Sequence, residues 1–156
     1  MVIREKAPLI LLVEDNEDDV LLTVRALRSL NLLNRVEAVR DGVEAIEFMR
    51  CEGRHASRSP DDMPQLVLLD VNLPRMNGIE VLRRMKSDER TSSIPVIMLT
   101  TSGQEVDMRA AYESGANSYI RKPVESEAFQ EAINNLGFYW LAVNTPPPQG
   151  SSKRSE

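Results

Sequence analysis

The stretch Leu66-Val67-Leu68-Leu69-Asp70-Val71-Asn72-Leu73-Pro74 is an unbroken apolar run that ends in a carboxylate, then an amide, then a turn-forming proline. A solid run of this length suits a strand buried on both faces, as in a parallel sheet covered by helices on each side. The acid then lies at the strand's C-terminal edge. In open α/β sheets the crevice outside the carboxyl ends of the strands is where ligands bind. Taken alone, Asp70 reads equally well as a turn or helix-capping acid. The other strand ends have to decide between the two.

Working outward, Leu9-Ile10-Leu11-Leu12-Val13 is a second solid run and also ends in acids, Glu14 and Asp15. Pro95-Val96-Ile97-Met98-Leu99 is a third, ending in Thr100 and Thr101. Two further runs alternate polar with apolar, Arg35-Val36-Glu37-Ala38-Val39 and Ser118-Tyr119-Ile120-Arg121, the latter leading into Lys122-Pro123. Alternation marks strands with one less-covered face, so these two are the expected sheet edges.

Between the strands the apolar residues recur at helical spacing. Asn16 opens a helix carrying Val20, Val24 and Leu27 to about Leu30, with Asp19 in its first turn. Asp41-Gly42-Val43-Glu44 has capping-box spacing ahead of Ala45, Ile46 and Met49, in a helix that should end near Gly53 and carry Cys51. Asn77-Gly78-Ile79-Glu80 starts a third helix that runs to about Ser87. Ser102-Gly103-Gln104-Glu105 caps a fourth, closed by Gly115, and a fifth spans about Glu125 to Asn144. Arg54 to Pro64 has neither period nor enough apolar content to be an element and is expected to be a long surface loop. His55 lies in it, with no Cys or His at ligand spacing, and is assigned no role.

Strand and helix thus alternate five times, which predicts an α/β fold: a doubly wound, five-stranded parallel sheet with right-handed crossovers and helices on both faces. The solid runs fit its centre and the alternating runs its edges, consistent with the order 2-1-3-4-5. Residues 1–8 are expected to be an N-terminal extension, 9–144 the domain, and 145–156, rich in Pro, Ser and charge, a disordered tail.

The 156 residues are enough for one domain with a real core and leave no room for a separate output domain. With 42% hydrophobic and 28% charged residues the composition is that of a soluble globular protein. No run approaches transmembrane length, and the N-terminus lacks the apolar centre of a signal peptide. One cysteine cannot make an internal disulfide, and a cytoplasmic location follows as the expectation. A net charge of -5 without a basic face argues against nucleic-acid binding.

The strand ends read in order are Glu14 and Asp15, Asp70 with Asn72, Thr100, and Lys122 before Pro123. Carboxylates at neighbouring strand ends suit Mg²⁺, a hard cation that takes oxygen ligands and keeps several waters. An ammonium and a hydroxyl beside them can meet the oxygens of a transferred phosphoryl group, and one carboxylate can itself be the nucleophile. Each residue alone has a bland reading as a cap, a turn residue or a solvated lysine. Their joint placement at one edge favours chemistry.

The motifs Val13-Glu14-Asp15, Leu69-Asp70-Val71-Asn72-Leu73-Pro74 with Asn77-Gly78, Leu99-Thr100-Thr101 and Tyr119-Ile120-Arg121-Lys122-Pro123 resemble, in order, those of the response-regulator receiver domains of two-component signalling. The resemblance runs from about Leu9 to Asn144 and implies the flavodoxin-like receiver fold. It further implies that Asp70 accepts a phosphoryl group from a histidine kinase. Asp15 and Asp70 would bind Mg²⁺ directly, Asn72 through its backbone carbonyl, and Glu14 largely through water. Lys122 would pair with Asp70 or the phosphoryl group, set by a cis bond before Pro123. Thr100 would turn toward the phosphate and Tyr119 rotate inward after it. Glu14 replaces the commoner Asp, Val124 the frequent aromatic after Lys-Pro, and Thr101 the usual alanine, a change that bears on access to the site.

The Arg54 to Pro64 loop, the Leu-Thr-Thr-Ser run and the closing Phe138-Tyr139-Trp140-Leu141 resemble the small stand-alone regulators paired with bacterial phytochrome kinases. That subset implies a light-linked output regulator, with a phosphorelay intermediate or phosphate sink as the alternative. A phosphohydrolase of the haloacid dehalogenase type also uses a strand-end aspartyl phosphate, but carries an acid where this chain has Asn72, which cannot donate and recover a proton. A nucleotide-binding fold would need a Gly-rich loop after the first strand, which is lacking. A partner-binding domain without phosphorylation fits poorly with Asp15, Asp70, Thr100 and Lys122 all present. The residues therefore predict a phosphoacceptor rather than an enzyme.

The last helix already has a buried stripe in Ala128, Phe129, Ala132, Ile133 and Leu136. The later cluster Phe138, Tyr139, Trp140, Leu141 and Val143 exceeds what one face can hide. A homodimer through the fourth helix, fifth strand and final helix, extended by that cluster, is the expectation. Folding of the cluster over its own core is the alternative.

Overall fold

The computed structural model describes residues 7–30, 34–101, 105–145 and 147. Among them five strands, β1 (Leu9–Val13), β2 (Arg35–Val39), β3 (Leu66–Asp70), β4 (Val96–Thr100) and β5 (Ser118–Arg121), alternate with five α-helices, α1 (Glu17–Arg28), α2 (Gly42–Arg50), α3 (Gly78–Ser87), α4 (Glu105–Glu113) and α5 (Glu127–Phe138). The strands form one parallel sheet in the order β2-β1-β3-β4-β5. This is the doubly wound, flavodoxin-like order that the run pattern suggested. The three solid runs are buried throughout, and β2 and β5 are half-covered edges.

Strand parity divides the core in two, because successive side chains point to opposite faces. Leu9, Leu11 and Val13 of β1, Val67 and Leu69 of β3, and Val96 and Met98 of β4 pack with Ala45, Phe48 and Met49 of α2 and Val81, Leu82 and Met85 of α3. Ile10, Leu12, Leu66, Leu68, Ile97 and Leu99 pack on the other face with Val20 and Leu27 of α1 and Phe129 and Ile133 of α5. The same period carries Glu14 and Asp70 onto the α1/α5 face at the C-terminal edge.

Helix starts follow the capping residues. Asn16, Asp41 and Asn77 each accept the backbone N–H three residues on, at 2.9, 2.7 and 3.1 Å, and Ser126 does the same for Phe129 at 3.1 Å. The proposed cap at Ser102-Gly103-Gln104 lies outside the described residues, as do residues 1–6 of the N-terminal extension and most of the tail. Gly115 closes α4 at φ 109°.

Several expectations are revised. Helix α2 stops at Arg50, and Cys51 is its C-cap in the left-handed region (φ 58°) rather than a residue on the helix. The Arg54 to Pro64 segment is tied down. It begins in a 3-10 turn, Gly53–His55, and Arg58 stacks 3.7 Å over the Phe48 ring while donating to the carbonyls of Phe48 and Asp62. His55 is half-buried, edge-on to Phe48 at 5.0 Å, with Nε2 3.0 Å from Glu44 Oε2, so it pins this segment to α2. Glu44 Oε1 accepts from Arg40 N at 3.0 Å, one residue before the N-cap N–H that a capping box engages, while its Oε2 faces His55. The last α-helix begins at Glu127, behind its Ser126 cap and close to the expected start. It ends at Phe138 and continues as a wider π turn, Tyr139–Val143. Ala128 is exposed and does not belong to the buried stripe.

Candidate functional site

The parallel register brings the five strand ends together at one edge of the sheet. Val13 lies beside Val39 and Leu69, Asp70 beside Leu99, and Thr100 beside Arg121. The ladder continues one residue past each strand: Glu14 N donates to Val39 O (3.0 Å), Val71 N to Leu99 O (2.9 Å) and Lys122 N to Thr100 O (2.8 Å). Backbone hydrogen bonds thus set the chain beneath Glu14, Asp70 and Lys122 before any side chain is placed. The Lys122–Pro123 bond is cis.

Lys122 is the centre of the cluster. Its Nζ lies 2.7 Å from Glu14 Oε1, 2.9 Å from Asp19 Oδ2 and 3.3 Å from Asp70 Oδ2, and its side chain is only 7% exposed. Glu14 and Asp70 are buried, whereas Asp15 is exposed. Asn16 N donates to Glu14 Oε2 (3.1 Å) and Asn72 N to Asp70 Oδ1 (3.2 Å), which orients both carboxylates. The Asn72 side chain faces solvent.

Burial dominates the electrostatics. It pushes the Glu14 carboxyl up to about 7; the hydrogen bond from Lys122 opposes this and the nearby charge of Asp70 adds to it. Asp70 is also raised by burial, against the pull of Lys122 and the Asn72 N–H. Burial works against the Lys122 ammonium, but its hydrogen bonds to Glu14 and Asp19 and the charges of Asp70 and Glu14 outweigh it and hold its pKa above the ordinary lysine value. The site is an over-negative cluster on one cation. Glu14, Asp15 and Asp70 each offer a carboxylate oxygen, all within 4.8 Å of one another. A hard-oxygen donor set with surplus negative charge and one member open to solvent fits a divalent cation such as Mg²⁺.

Thr100 is fully buried at the end of β4, and Thr101 just beyond it is exposed. Parity puts Thr100 on the opposite face from Asp70, the side where Tyr119 packs half-buried against the first core cluster. The Tyr119 ring centre is 6.4 Å from that of Tyr112 on α4. The closing aromatic cluster divides. Phe138, Tyr139 and Val143 are 49, 45 and 57% exposed, while Trp140 and Leu141 fold back onto the α1/α5 core. For those two the fold-back alternative describes the structure, and they leave the exposed set.

Asp19 was not foreseen as a site residue, only as part of a helix start. A signal was there. Asp19, Thr23 and Ala26 lie at helical spacing on the buried face of α1, so the acid falls on the stripe that covers the sheet edge.

The family model for the response regulator receiver domain matches residues 10–134. The probable methanogenesis regulatory protein FilR2 of Methanothrix harundinacea is 41% identical over 140 residues, covering 89% of this chain and 87% of that protein. Response regulator Rcp1 of Synechocystis is 36% identical over 138 residues, covering 88% of this chain and 92% of Rcp1. Its Mn²⁺-bound crystal structure superposes with a TM-score of 0.81 at 33% identity, covering 90% of this chain and 99% of that one. The phosphorylated cyanobacterial phytochrome response regulator RcpA superposes with a TM-score of 0.82 at 38% identity, covering 91% of this chain and 99% of that one. With the model spanning nearly all of the sheet and relatives above 30% identity matched over most of their length, the chain belongs to the response regulator receiver domain family.

Proposed function

We propose that the chain accepts a phosphoryl group on Asp70 from a histidine kinase, in a Mg²⁺-dependent reaction, and signals through a phosphorylation-dependent change of surface. The observation that carries this reading is the convergence of Glu14, Asp70 and Lys122 at one sheet edge, beside the exposed Asp15. An Asp70 oxygen attacks the phosphorus. The new O–P bond forms as the P–N bond to the kinase histidine breaks, and the electron pair leaves with the imidazole nitrogen, which takes up a proton. Asp15 and Asp70 would hold Mg²⁺ directly, the Asn72 carbonyl would add a ligand, and Glu14 would act through water. The cation supplies charge neutralisation at the carboxylates and the phosphoryl oxygens. Lys122 donates to the transferred group, and Thr100 turns its hydroxyl toward it. Tyr119 follows on the same face of the sheet. The chain turns over no other substrate in this reading.

Kinship with Rcp1 and RcpA supports a phytochrome kinase as the phosphoryl source. A cytoplasmic site of action accords with that partner. Among the described residues no helix is long and apolar enough to cross a membrane.

Acetyl phosphate or beryllofluoride with Mg²⁺ should modify the wild type once, with the mass change mapping to Asp70, and Asp70→Asn should fall to background. Equal modification of Asp70→Asn would remove the assignment.

The homodimer is retained on a smaller patch, Phe138, Tyr139 and Val143, continuous with α5. In sedimentation equilibrium Tyr139→Glu should weaken self-association roughly tenfold, the usual weight of an interface aromatic. A wild type that stays monomeric with and without phosphorylation counts against a dimer, and an unchanged Tyr139→Glu counts against this patch.

A further inference from the structure

Lys122 has three ammonium protons and, among the described residues, three carboxylates around them: Glu14 at 2.7 Å, Asp19 at 2.9 Å and Asp70 at 3.3 Å. The phosphoacceptor is the most distant. The lysine is therefore drawn toward the β1–α1 side of the cleft. Two of these partners change when the site works. Asp70 exchanges its free carboxylate for an acyl phosphate, and Glu14 shares the cation. Asp19 does neither. It stands on the first turn of α1, its backbone N–H fixed by the Asn16 cap at 2.9 Å, and its side chain is 20% exposed at the rim. Its charge is not consumed by phosphoryl transfer, because the new bond forms on Asp70.

We infer that Asp19 is a positioning residue that competes with the phosphoryl group for Lys122 and so sets how tightly the site holds that group. This rests on the reading of Asp70 as phosphoacceptor and adds to it a residue that touches neither phosphorus nor metal. The ion pair of Asp19 holds the lysine in the cleft while Asp70 is free. For Lys122 to donate to phosphoryl oxygens beyond Asp70, one proton must turn from an existing partner. The Asp19 bond is the one that neither phosphorylation nor the cation weakens.

The test uses the phosphoryl mimic beryllofluoride with Mg²⁺, read by fluorine NMR of the bound species, and acetyl phosphate labelling read as rate against donor concentration. Asp19→Asn should lower the half-saturating beryllofluoride concentration about fivefold, the size of one partly exposed ion pair. For acetyl phosphate the half-saturating concentration should fall while the maximal rate changes little. Asp18→Asn removes the same charge one residue away, where the side chain is exposed, and should leave both values near wild type. In a Lys122→Met background the Asp19→Asn gain should vanish, since the two residues then form one non-additive pair. An unchanged or weaker half-saturation in Asp19→Asn, an equal gain in Asp18→Asn, or a gain that survives Lys122→Met overturns the assignment. Should wild type fail to take up beryllofluoride, or Asp70→Asn take it up equally, the phosphoacceptor reading itself falls. Uptake at Asp70 with no Asp19 effect removes only the role of Asp19.

Discussion

Gly78→Ala should cost about 3 kcal/mol of folding stability and slow phosphorylation of Asp70, although residue 78 is on a helix and touches no candidate ligand through a side chain. A Cβ at this position would lie 2.1 Å from the carbonyl oxygen of Asp70 and 2.9 Å from Cα of Val71. Both are backbone atoms of the strand end that carries the candidate phosphoacceptor, and neither can rotate away. The helix start cannot retreat freely either, because Gly78 N donates to Val71 O at 2.8 Å. Relief of the clash therefore has to part α3 from β3 or tilt the Asp70 peptide, and the second route disturbs the carboxylate geometry directly. Gly137 gives the contrast. There the nearest atom to an added Cβ is Leu30 Cδ1 at 2.9 Å, the end of a flexible side chain, and alanine gains about 1 kcal/mol of helix propensity. Gly137→Ala should stay within about 1 kcal/mol of wild type. Urea unfolding of the three proteins checks this: the midpoint of Gly78→Ala should drop with its slope unchanged. A Gly78→Ala protein as stable as Gly137→Ala would show that the α3–β3 junction has slack absent from this geometry.

How much of this was legible beforehand depends on how local each signal is. The sheet centre was readable because Leu9 to Val13, Leu66 to Asp70 and Val96 to Thr100 must be apolar on both sides, which leaves an unbroken run in the chain itself. The strand-end residues were readable for the same reason, since a solid run that stops at an acid fixes where that acid emerges. Asp19 was harder to place. Its partner Lys122 is far along the chain, and its own surroundings, Glu17-Asp18-Asp19 at a helix start, are those of any acidic first turn that complements the helix dipole. Only the phase of α1 against the sheet separates Asp19 from Asp18. The Arg54 to Pro64 segment was readable as a surface loop, but the arginine and histidine contacts with Phe48 and Glu44 that tie it to α2 leave no periodic trace. The fate of Trp140 turned on helix geometry. Trp140 and Leu141 continue the i, i+3, i+4 stripe of Ile133, Leu136 and Gly137 and so reach the core, while Phe138 and Tyr139 fall off it and stay outside; that spacing was in the chain, and counting the closing cluster as one block hid it.

In the absence of metal the protein should lose stability as pH rises from about 4.5 to about 7, and Mg²⁺ should restore it. The sign follows from proton counting. Glu14 has an ordinary value of 4.5 when exposed and is pushed up to about 7 in the fold, first by burial, with Lys122 opposing and Asp70 adding. Between those two values the folded chain keeps a proton that the unfolded chain has released, so unfolding is favoured progressively as pH climbs. Asp70, also raised by burial, acts in the same direction. Lys122 does not offset the trend within this window. Its folded value lies above the ordinary 10.5, so the stability it contributes is fully present below 10.5 and is lost only above it. The combined loss from pH 5 to 8 should be on the order of 2 kcal/mol. A divalent cation binds the deprotonated carboxylates, so its stabilising effect should be small near pH 5 and grow toward pH 8. Asp70→Asn removes one of the repelling charges and should melt above wild type at pH 8 without metal, while Glu14→Gln should flatten the metal-free pH profile. Thermal melts at pH 5, 6, 7 and 8, with EDTA or with Mg²⁺, on the three proteins decide the matter. Metal-free stability that rises across this range, or an Asp70→Asn protein that melts no higher than wild type, would mean that Lys122 already neutralises the cluster and that the site carries no excess negative charge for a cation to relieve.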